Sequence, residues 1–517
     1  MERRARLRDR RRVSATSQIF SSPRLRMLIL VAAMATVFIR LGATDLLAPD
    51  EPRYALVAEE VRAWTHDWRG TVLLHLHDHP YTQKPPIFFW LAALAGAPGG
   101  RVDEVAARLP SAVAGVATIA ATMALGTLLF GRSTGTLAGL LLLTTIDWSY
   151  RARTAHLDTL LALFETLALL AFWRTESSRA QGRSVRRGDI AWLHAALGLA
   201  ILTKGPVGFA VPLLAIAAYL GWERRLRDLT SLCPAWALAV SIGPGLLWIT
   251  AAIALAPAGF FDAAVVDNLF GRAVEGTAHA RPFWFYLQKS PGDLLPWALL
   301  LPITLAVGRR ALRDPADGSG WRFLIAWIAT TLLLFSAISG KRVRYLLPIE
   351  PAFALLFATT LARTLGPRGM RRIAIAAGAV AVGQVVAYIA VMPAFEARYS
   401  ARPLADAVAR VADRNAAVGL YRAADVATSV AYYGRPRVQV FRGEAQLDAF
   451  LAAGGNVLVF EAPRLAEVER HTPLEIRERV GIDDQEWIVA IVRRQDAAST
   501  SCRSLSPTTI AIAACTL

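Results

Sequence analysis

The sequence predicts an all-α polytopic membrane domain of about 11 spans, followed by a small C-terminal α/β domain on the extracytoplasmic side. Apolar residues make up 55% of the 517 residues and charged residues only 19%, a balance that is rare in water-soluble proteins of this size. Apolar stretches long enough to cross about 30 Å of hydrocarbon recur along the chain. This pattern ends near residue 393, where short β-type runs begin.

The predicted spans are apolar segments, and the loops expected on the cytoplasmic side are basic or neutral. They comprise residues 27–43, 105–130, 136–150, 154–173, 190–204, 206–221, 233–255, 292–308, 322–338, 346–362 and 373–392. Together they define a membrane domain over 27–392, with a long outer loop at 44–104. Within that loop the apolar spacing of 54–61 predicts a helix, and the aromatic run 88–91 predicts a second helix at the membrane interface.

Basic residues dominate the charge, and the formal net charge is +17. They concentrate in residues 1–26 and at alternate span ends, in the pairs Arg186-Arg187, Arg224-Arg225, Arg309-Arg310 and Arg371-Arg372. Because cytoplasmic loops are enriched in Lys and Arg, this placement predicts a cytoplasmic N-terminus and argues against nucleic-acid binding. The three cysteines form no CxxC pair, and no cleavable signal peptide is expected.

The C-terminal part has a different pattern. Residues 404–411 have helical spacing, and β-type runs occur at 418–421, 438–441, 457–460 and 487–491. Helical stretches between some of these strands predict a small periplasmic α/β domain over 393–496. The Ser- and Thr-rich tail, 497–517, is expected to be disordered.

Carboxylates beside membrane spans are costly to desolvate and therefore indicate function. Asp50 and Glu51 follow Pro49 and precede the helix predicted at 54–61. One interpretation is N-terminal capping, since acidic residues are favourable at helix starts. The other is catalysis, in which one carboxylate activates an acceptor and the other is structural. Asp158, near the start of the fourth predicted span, is a further catalytic candidate, unless it only pairs with a nearby arginine.

Cationic residues on the same predicted face suit an anionic ligand such as a lipid phosphate. The candidates are Arg53, Lys84, Lys204, Arg272, Lys341 and Arg344, together with the phenol of Tyr345. Arg272 lies in an outer loop near aromatic interface residues, and Lys341 and Arg344 lie outside against the positive-inside trend. The alternative for Lys84, which precedes two prolines, is a lysine whose ammonium only extends to the membrane interface.

Three alternating histidines, His75, His77 and His79, suggest a metal site, because alternate residues of a strand share one face. No further ligand set with a recognised spacing accompanies them. We therefore expect no metal site and no cofactor, with a divalent cation as the less favoured alternative.

Six motifs occur in a fixed order along the chain. They are Asp50-Glu51-Pro52-Arg53-Tyr54, Lys84-Pro85-Pro86, Asp158-Thr159-Leu160-Leu161, Leu202-Thr203-Lys204-Gly205-Pro206, Asn268-Leu269-Phe270-Gly271-Arg272 and Arg344-Tyr345-Leu346-Leu347-Pro348. Together they resemble the motifs of the bacterial aminoarabinose lipid A transferase and of related protein-mannosyltransferase-like enzymes. The resemblance covers roughly residues 40–390.

This resemblance implies a GT-C fold, with interfacial helices over a periplasmic cavity, and a polyprenyl-phosphate-linked sugar as donor. By motif, Asp50 and Asp158 correspond to the carboxylates near the reacting centre. Lys84, Arg272 and Tyr345 correspond to lipid-phosphate contacts, with Arg53 close by. Some relatives carry an acidic residue directly before this lysine, where the present chain has Gln83, which further disfavours a metal ligand there.

The sequence therefore predicts an inverting glycosyltransferase of the bacterial inner membrane that transfers a sugar from a polyprenyl phosphate. Its expected acceptor is lipid A, another cell-envelope glycan or a protein. A transporter or flippase of lipid-linked sugars is the alternative, although no repeated halves with broken helices are visible. A non-catalytic accessory protein is a third possibility, against which Asp50 argues.

Overall fold

The computed structural model describes residues 20–63, 67–77, 79–266, 281–314, 317–413 and 416–493. The chain divides into two compact units after Ser400. The predicted domain boundary at 393 lies within the helix Met392–Tyr399, near the end of the first unit. Most of the predicted cytoplasmic segment 1–26 and the whole predicted tail lie outside the described residues.

The first unit is helical apart from a short hairpin, β1 (His75–Leu76) with β2 (His79–Pro80). Its α-helices are α1 (Pro23–Phe38), α2 (Asp50–Ala63), α3 (Trp68–Val72), α4 (Ile87–Gly96), α5 (Glu104–Phe130), α6 (Arg132–Leu143), α7 (Ile146–Arg151), α8 (Leu157–Ala180), α9 (Arg187–Lys204), α10 (Val207–Trp222), α11 (Asp228–Leu232), α12 (Ala235–Leu255), α13 (Phe285–Asp293), α14 (Leu301–Ala311), α15 (Gly318–Ala337), α16 (Glu350–Thr364), α17 (Pro367–Val386) and α18 (Met392–Tyr399). Two 3-10 helices, Trp297–Leu300 and Val343–Ile349, precede α14 and α16. The helices predicted inside the outer loop correspond to α2 and α4.

Among the described residues, five helices are long and apolar enough to cross a membrane. They are Glu104–Phe130, Ala235–Leu255, Gly318–Ala337, Val343–Thr364 and Pro367–Tyr399, and the pair Phe285–Asp293 with Trp297–Ala311, bent by 110°, would be a sixth. Helices α1, α6 and α10 are shorter than a full span, and α8 and α9 carry more charged residues. The count of about 11 spans therefore stays a prediction.

Burial along these helices matches a membrane environment. Most of the apolar stretch within Val343–Thr364 is buried inside the bundle, whereas only a small part of those in Ala235–Leu255 and Pro367–Tyr399 is buried. An exposed helix that is apolar on all sides is stable in lipid and not in water. The first unit is therefore a multi-spanning membrane domain.

Local features bring charged residues to one end of the bundle. Asp50 and Asp158 lie in the first turns of α2 and α8, where the helix dipole favours negative charge. Helix α9 ends at Lys204 because Gly205 follows it with φ +74°, a left-handed conformation that favours glycine. The 3-10 helix Val343–Ile349 contacts α8 at this end.

The second unit contains a five-stranded mixed sheet with the order β4-β3-β5-β7-β6. Its strands are β3 (Ala417–Tyr421), β4 (Arg437–Phe441), β5 (Val457–Glu461), β6 (Leu474–Ile482) and β7 (Gln485–Val492). β3 pairs in parallel with β4 and β5, and β7 is antiparallel to β5 and β6. Its helices are α19 (Arg402–Val411), α20 (Ala424–Ser429), α21 (Glu444–Ala452) and α22 (Leu465–Glu469).

Both faces of this sheet are covered, as the alternation along β3 and β5 requires. Leu420 and Val459 pack with Leu404 in one apolar core, whereas Leu458 and Phe460 belong to the core on the opposite face. The predicted α/β character and four strands are confirmed. β6 was not predicted because its charged residues obscure the β pattern on an exposed edge strand.

Candidate functional site

Asp50 lies at the centre of a cluster of ion pairs. Its Oδ2 accepts hydrogen bonds from Arg342 Nη1 at 3.0 Å and from Arg344 Nη2 at 2.5 Å. Its Oδ1 accepts one from Arg53, one turn further along α2. Nε2 of His156 lies 3.8 Å from Oδ2. The Asp50 side chain is 7% exposed, so these partners replace water around its charge.

The same partners control the ionisation of Asp50. Burial by itself raises the pKa of a carboxyl, since it disfavours the charged form. Here the His156 imidazole and the charges of Arg344 and Arg53 outweigh burial and hold the pKa of Asp50 well below its usual range. Asp50 is therefore a stable carboxylate at neutral pH.

Asp158 also contacts the Arg344 guanidinium. Lys204 donates to Oδ1 of Asp158, and Arg344 Nε lies 3.4 Å from its Oδ2. Lys204 Nζ also lies 4.2 Å from the centroid of the Tyr345 ring, within the range of a cation–π contact. The structure thus joins residues from the Asp50, Asp158, Lys204 and Arg344-Tyr345 motifs in one site.

The site has more positive than negative charge. Two carboxylates, Asp50 and Asp158, are contacted by four cations, Arg53, Lys204, Arg342 and Arg344. This excess of positive charge, in a place largely shielded from water, attracts an anion such as a phosphate.

The loop that carries Lys84 borders this cluster. Lys84 is half-buried just before α4. Phe88 and Phe89 of α4 contact the ring of Tyr54 edge-on, with centroids 5.8 and 5.7 Å apart. Tyr54 directly follows Arg53, and burial raises the pKa of its phenol to about 12. The predicted phosphate contact at Lys84 thus lies on a loop that adjoins the site.

Glu51 has a different environment from Asp50. Arg108 donates to both of its carboxylate oxygens at 3.1 Å, and the backbone amides of Ala155 and Leu47 donate at 2.6 and 2.9 Å. The Glu51 side chain is only 2% exposed. Burial raises its pKa, but the Arg108 guanidinium outweighs burial and lowers the pKa below its usual range. These contacts favour a structural role for Glu51 over the predicted catalytic one.

Lys341 also has structural partners. Its ammonium donates to the backbone carbonyls of Arg281, at 3.0 Å, and Ile338, and the residue is 4% exposed. Burial lowers the pKa of Lys341. These contacts favour a role in holding the loop before Val343–Ile349 over the predicted phosphate contact. Arg272, another predicted phosphate contact, lies outside the described residues.

The predicted histidine run forms the hairpin of β1 and β2. His75 is paired across it with Pro80, and Leu76 with His79. Across the part of the chain that the structure describes, no group of three or more His, Cys, Asp or Glu side chains could hold a metal ion.

Arg108, Arg342 and His156 contact the candidate carboxylates but were not predicted to do so. Arg108 lies within a predicted span, and a charged residue in such a segment is itself a signal of function or of a buried partner. Arg342 lies two residues before Arg344 and His156 two before Asp158, so proximity to a motif was the only signal for them.

Comparisons with known proteins agree with these motifs. A model of the family "dolichyl-phosphate-mannose-protein mannosyltransferase" matches residues 24–262. An undecaprenyl phosphate-alpha-4-amino-4-deoxy-L-arabinose arabinosyl transferase of Pseudomonas fluorescens is 30% identical, over 65% of this chain and 55% of its own length. A protein of the same name from Pseudomonas savastanoi is also 30% identical, over 65% of this chain and 61% of its own length. The chain thus spans little more than half the length of these curated relatives.

Solved structures share the fold. The crystal structure of ArnT from Cupriavidus metallidurans bound to undecaprenyl phosphate matches with a TM-score of 0.76 and 21% identity, over 90% of this chain and 97% of that one. The archaeal oligosaccharyltransferase AglB from Archaeoglobus fulgidus matches with a TM-score of 0.52 and 14% identity, over 85% of this chain and 69% of that one. The chain therefore has the fold of these membrane transferases, and its resemblance to the aminoarabinose transferases and protein-mannosyltransferase-like enzymes is confirmed.

Proposed function

We propose that this protein is an integral-membrane glycosyltransferase that transfers a sugar from a polyprenyl phosphate to an extracytoplasmic acceptor. The observation that carries the proposal is the arrangement of Arg344 between Asp50 and Asp158, with Arg342 and Lys204 beside it. A polyprenyl-phosphate sugar is a phosphodiester, so it brings one negative charge to such a site. The polyprenyl phosphate that leaves after transfer is a monoester and carries more negative charge.

The chemistry is a single displacement. A nucleophilic oxygen of the acceptor forms a bond to the anomeric carbon while the bond from that carbon to the phosphate oxygen breaks. The polyprenyl phosphate leaves with the bonding electrons, and the anomeric configuration inverts. Because negative charge grows on the phosphate as the bond breaks, cations that are already in position stabilise the transition state more than the ground state.

The cations are assigned to the leaving phosphate. Arg344 and Arg342 are held by Asp50, and Lys204 is held by Asp158, so these cations are already in position before the phosphate arrives. Lys84 and Arg272 are further phosphate contacts, and Tyr345 donates a hydrogen bond from its phenol. This assignment rests on the six motifs and on the contacts of the described members.

Asp50 is assigned to position the arginines. A carboxylate with a strongly lowered pKa accepts a proton poorly, and an efficient general base needs a pKa near the working pH. An acceptor that is itself a phosphate is already ionised and needs no base, whereas a hydroxyl acceptor passes its proton to the departing phosphate, which becomes more basic as it takes up the bonding electrons. Asp50 and Asp158 then keep the cations in place and orient the sugar, while Glu51 holds the start of α2.

The names of the relatives guide the choice of substrates. The curated relatives are named for undecaprenyl phosphate-linked 4-amino-4-deoxy-L-arabinose, so an undecaprenyl phosphate sugar is the donor to test first. Lipid A, another envelope glycan or a protein is the proposed acceptor. The basic loops support a bacterial inner-membrane protein whose site and C-terminal domain face the periplasm.

A release assay tests the proposal. The detergent-purified full chain is incubated with a panel of undecaprenyl phosphate sugars, including the aminoarabinose carrier, and with lipid A as acceptor. We expect release of undecaprenyl phosphate that depends on both substrates, and little release by Arg344→Gln. Arg363→Gln is the matched control, because Arg363 forms its ion pairs with Asp314 and Asp317, outside the site. Transport of a lipid-linked sugar across vesicles, without release from any donor, would instead identify a flippase.

A further inference from the structure

A cavity of about 420 Å³ lies at the end of the bundle opposite to the carboxylate cluster. Helix α8 has Asp158 in its first turn and contributes Arg174 to the cavity near its last. Helix α9 runs the other way, with Asp189 in the cavity at its start and Lys204 in the site at its end. Since α8 has 24 residues, its ends are about 36 Å apart, the thickness of a bilayer core and one interface.

The lining of this cavity is strongly basic. Arg26, Arg174, Arg183 and Arg186 line it, and Asp189 is the one acidic residue among the lining residues. Arg174 Nε donates to Asp189 Oδ1 at 2.8 Å, so this pair is neutral. Within the described part of the chain, the other three arginines have no acidic partner. The cavity therefore presents uncompensated positive charge from the start of α1 and from the loop between α8 and α9.

One wall of the cavity is apolar and leads to the outer surface. Leu128 of α5 and Leu170 of α8 line it, and Leu128 is 41% exposed. Met27 and Leu28, which follow Arg26 on α1, are 63% and 62% exposed. A freely soluble anion gains nothing from such a wall, whereas a lipid can place its acyl chains there.

A tryptophan marks the depth of the cavity in the membrane. The guanidinium of Arg174 lies 5.6 Å from the ring centroid of Trp192, which is 49% exposed. Exposed tryptophans favour the headgroup level of a bilayer. We therefore expect the basic residues at the level of lipid phosphates, with the apolar wall toward the hydrocarbon.

We propose that this cavity binds an anionic phospholipid, with Arg26, Arg183 and Arg186 around its phosphodiester and its acyl chains along α1 and α5. Basic pockets between spans at one membrane face recognise such headgroups through charge, and apolar contacts hold the chains. A lipid bound here would hold together the ends of α1, α5, α8 and α9. It would occupy the leaflet opposite to the proposed transfer site, so the inference does not depend on the transferase activity.

Native mass spectrometry of the purified full chain tests this proposal. Delipidated protein is titrated with phosphatidylglycerol or with phosphatidylcholine of the same chain length. We expect the wild type to retain one phosphatidylglycerol at least fivefold more tightly than phosphatidylcholine. The double substitution Arg183→Gln/Arg186→Gln, in an exposed loop, should remove this preference. The control, Arg309→Gln/Arg310→Gln, removes the same charge from the end of α14 and should retain it.

Three results would overturn the proposal. The first is equal loss of phosphatidylglycerol in both double variants, which would show that only net charge matters. The second is a wild-type preference for phosphatidylglycerol in both Arg183→Gln/Arg186→Gln and the separate variant Arg26→Gln. The third is full displacement of the lipid by millimolar inorganic phosphate, which would show a site for a free anion. Thermal unfolding of each variant without lipid verifies that it is folded.

Discussion

Arg344 donates a hydrogen bond of 2.5 Å from Nη2 to Oδ2 of Asp50, although 294 positions separate the two residues in the chain. Nε of the same guanidinium lies 3.4 Å from Asp158. A guanidinium carries its donors in a rigid planar fork and can hold two carboxylates at once, which a lysine ammonium does less well. The contact therefore joins the first turns of α2 and α8 to the helix Val343–Ile349.

Replacement of Arg344 by lysine should separate charge from geometry. Arg344→Lys keeps the positive charge but loses the planar bridge, so we expect sugar transfer to fall by about 100-fold, as when one preorganised donor to a developing anion is removed. Initial rates at matched protein amounts measure this. Arg363→Lys should stay within about twofold of wild type. Near wild-type transfer by Arg344→Lys would show that only the positive charge at this position matters, and not the planar geometry of the guanidinium.

The pH dependence of transfer tests the role of Asp50. The pKa of Asp50 is lower in the folded protein than in the unfolded chain, where it is about 4. Its ionisation therefore stabilises the fold above about pH 4, and this stabilisation is lost as the pH falls toward the pKa of the folded state. Asp50 should therefore stay ionised from about pH 5 to 8 and produce no acidic limb in the rate profile.

Asp50→Asn should fold, since Asn caps a helix nearly as well as Asp. It should transfer about 100-fold more slowly at every pH, because the arginines lose the charge that positions them. An acidic limb that is present in the wild type and absent from Asp50→Asn would instead identify a general base.

The buried pair of Glu51 and Arg108 should contribute to stability more than to catalysis. Glu51→Gln leaves the Arg108 guanidinium buried without its counter-charge, a change that typically costs about 3–5 kcal/mol. We expect a lower unfolding temperature and a smaller folded yield, with transfer per folded molecule close to wild type. The double variant Glu51→Gln/Arg108→Gln should be less destabilised than the sum of the single variants. Strict additivity would show that the two side chains do not act as a pair.

Donor binding should depend on Lys84 and Arg272. Replacement of either by Ala should weaken binding of a polyprenyl phosphate by about tenfold or more, because a hydrogen bond to a charged group is worth about 1.5–3 kcal/mol. Lys341→Gln is the comparison, because the ammonium of Lys341 already donates to two backbone carbonyls. It should change donor affinity by less than about threefold. The phosphate assignment would be wrong if Lys84→Ala and Arg272→Ala both bind the donor normally.

Cysteine labelling should establish which side of the membrane each loop faces. In a chain whose three native cysteines are replaced, a cysteine at Arg186 or Arg310 should be shielded from an impermeant thiol reagent in intact cells. One at Gly276 should react. The reason is that the basic loops are retained in the cytoplasm. The opposite labelling pattern would place the carboxylate cluster on the cytoplasmic side.

Several parts of this protein are determined by the sequence alone, because they depend on local hydropathy. The predicted spans 105–130 and 233–255 lie close to Glu104–Phe130 and Ala235–Leu255, and the predicted strand 457–460 lies within Val457–Glu461. The ordered motifs also identified Asp50, Asp158, Lys204 and Arg344 as candidate site residues. The hydropathy of an apolar run and the spacing of a short motif are properties of neighbouring residues. They can therefore be recognised without knowing which distant residues they contact in the fold.

Only the tertiary structure distinguished the environments of neighbouring charged residues. Asp50 and Glu51 are adjacent in sequence, yet one faces three arginines of the site and the other a buried arginine of α5. The contacts that distinguish them come from residues up to 294 positions away, which composition and spacing do not reveal. The ionisation and role of a buried charge depend on the partners that folding brings within a few ångströms, and the local sequence does not specify these partners.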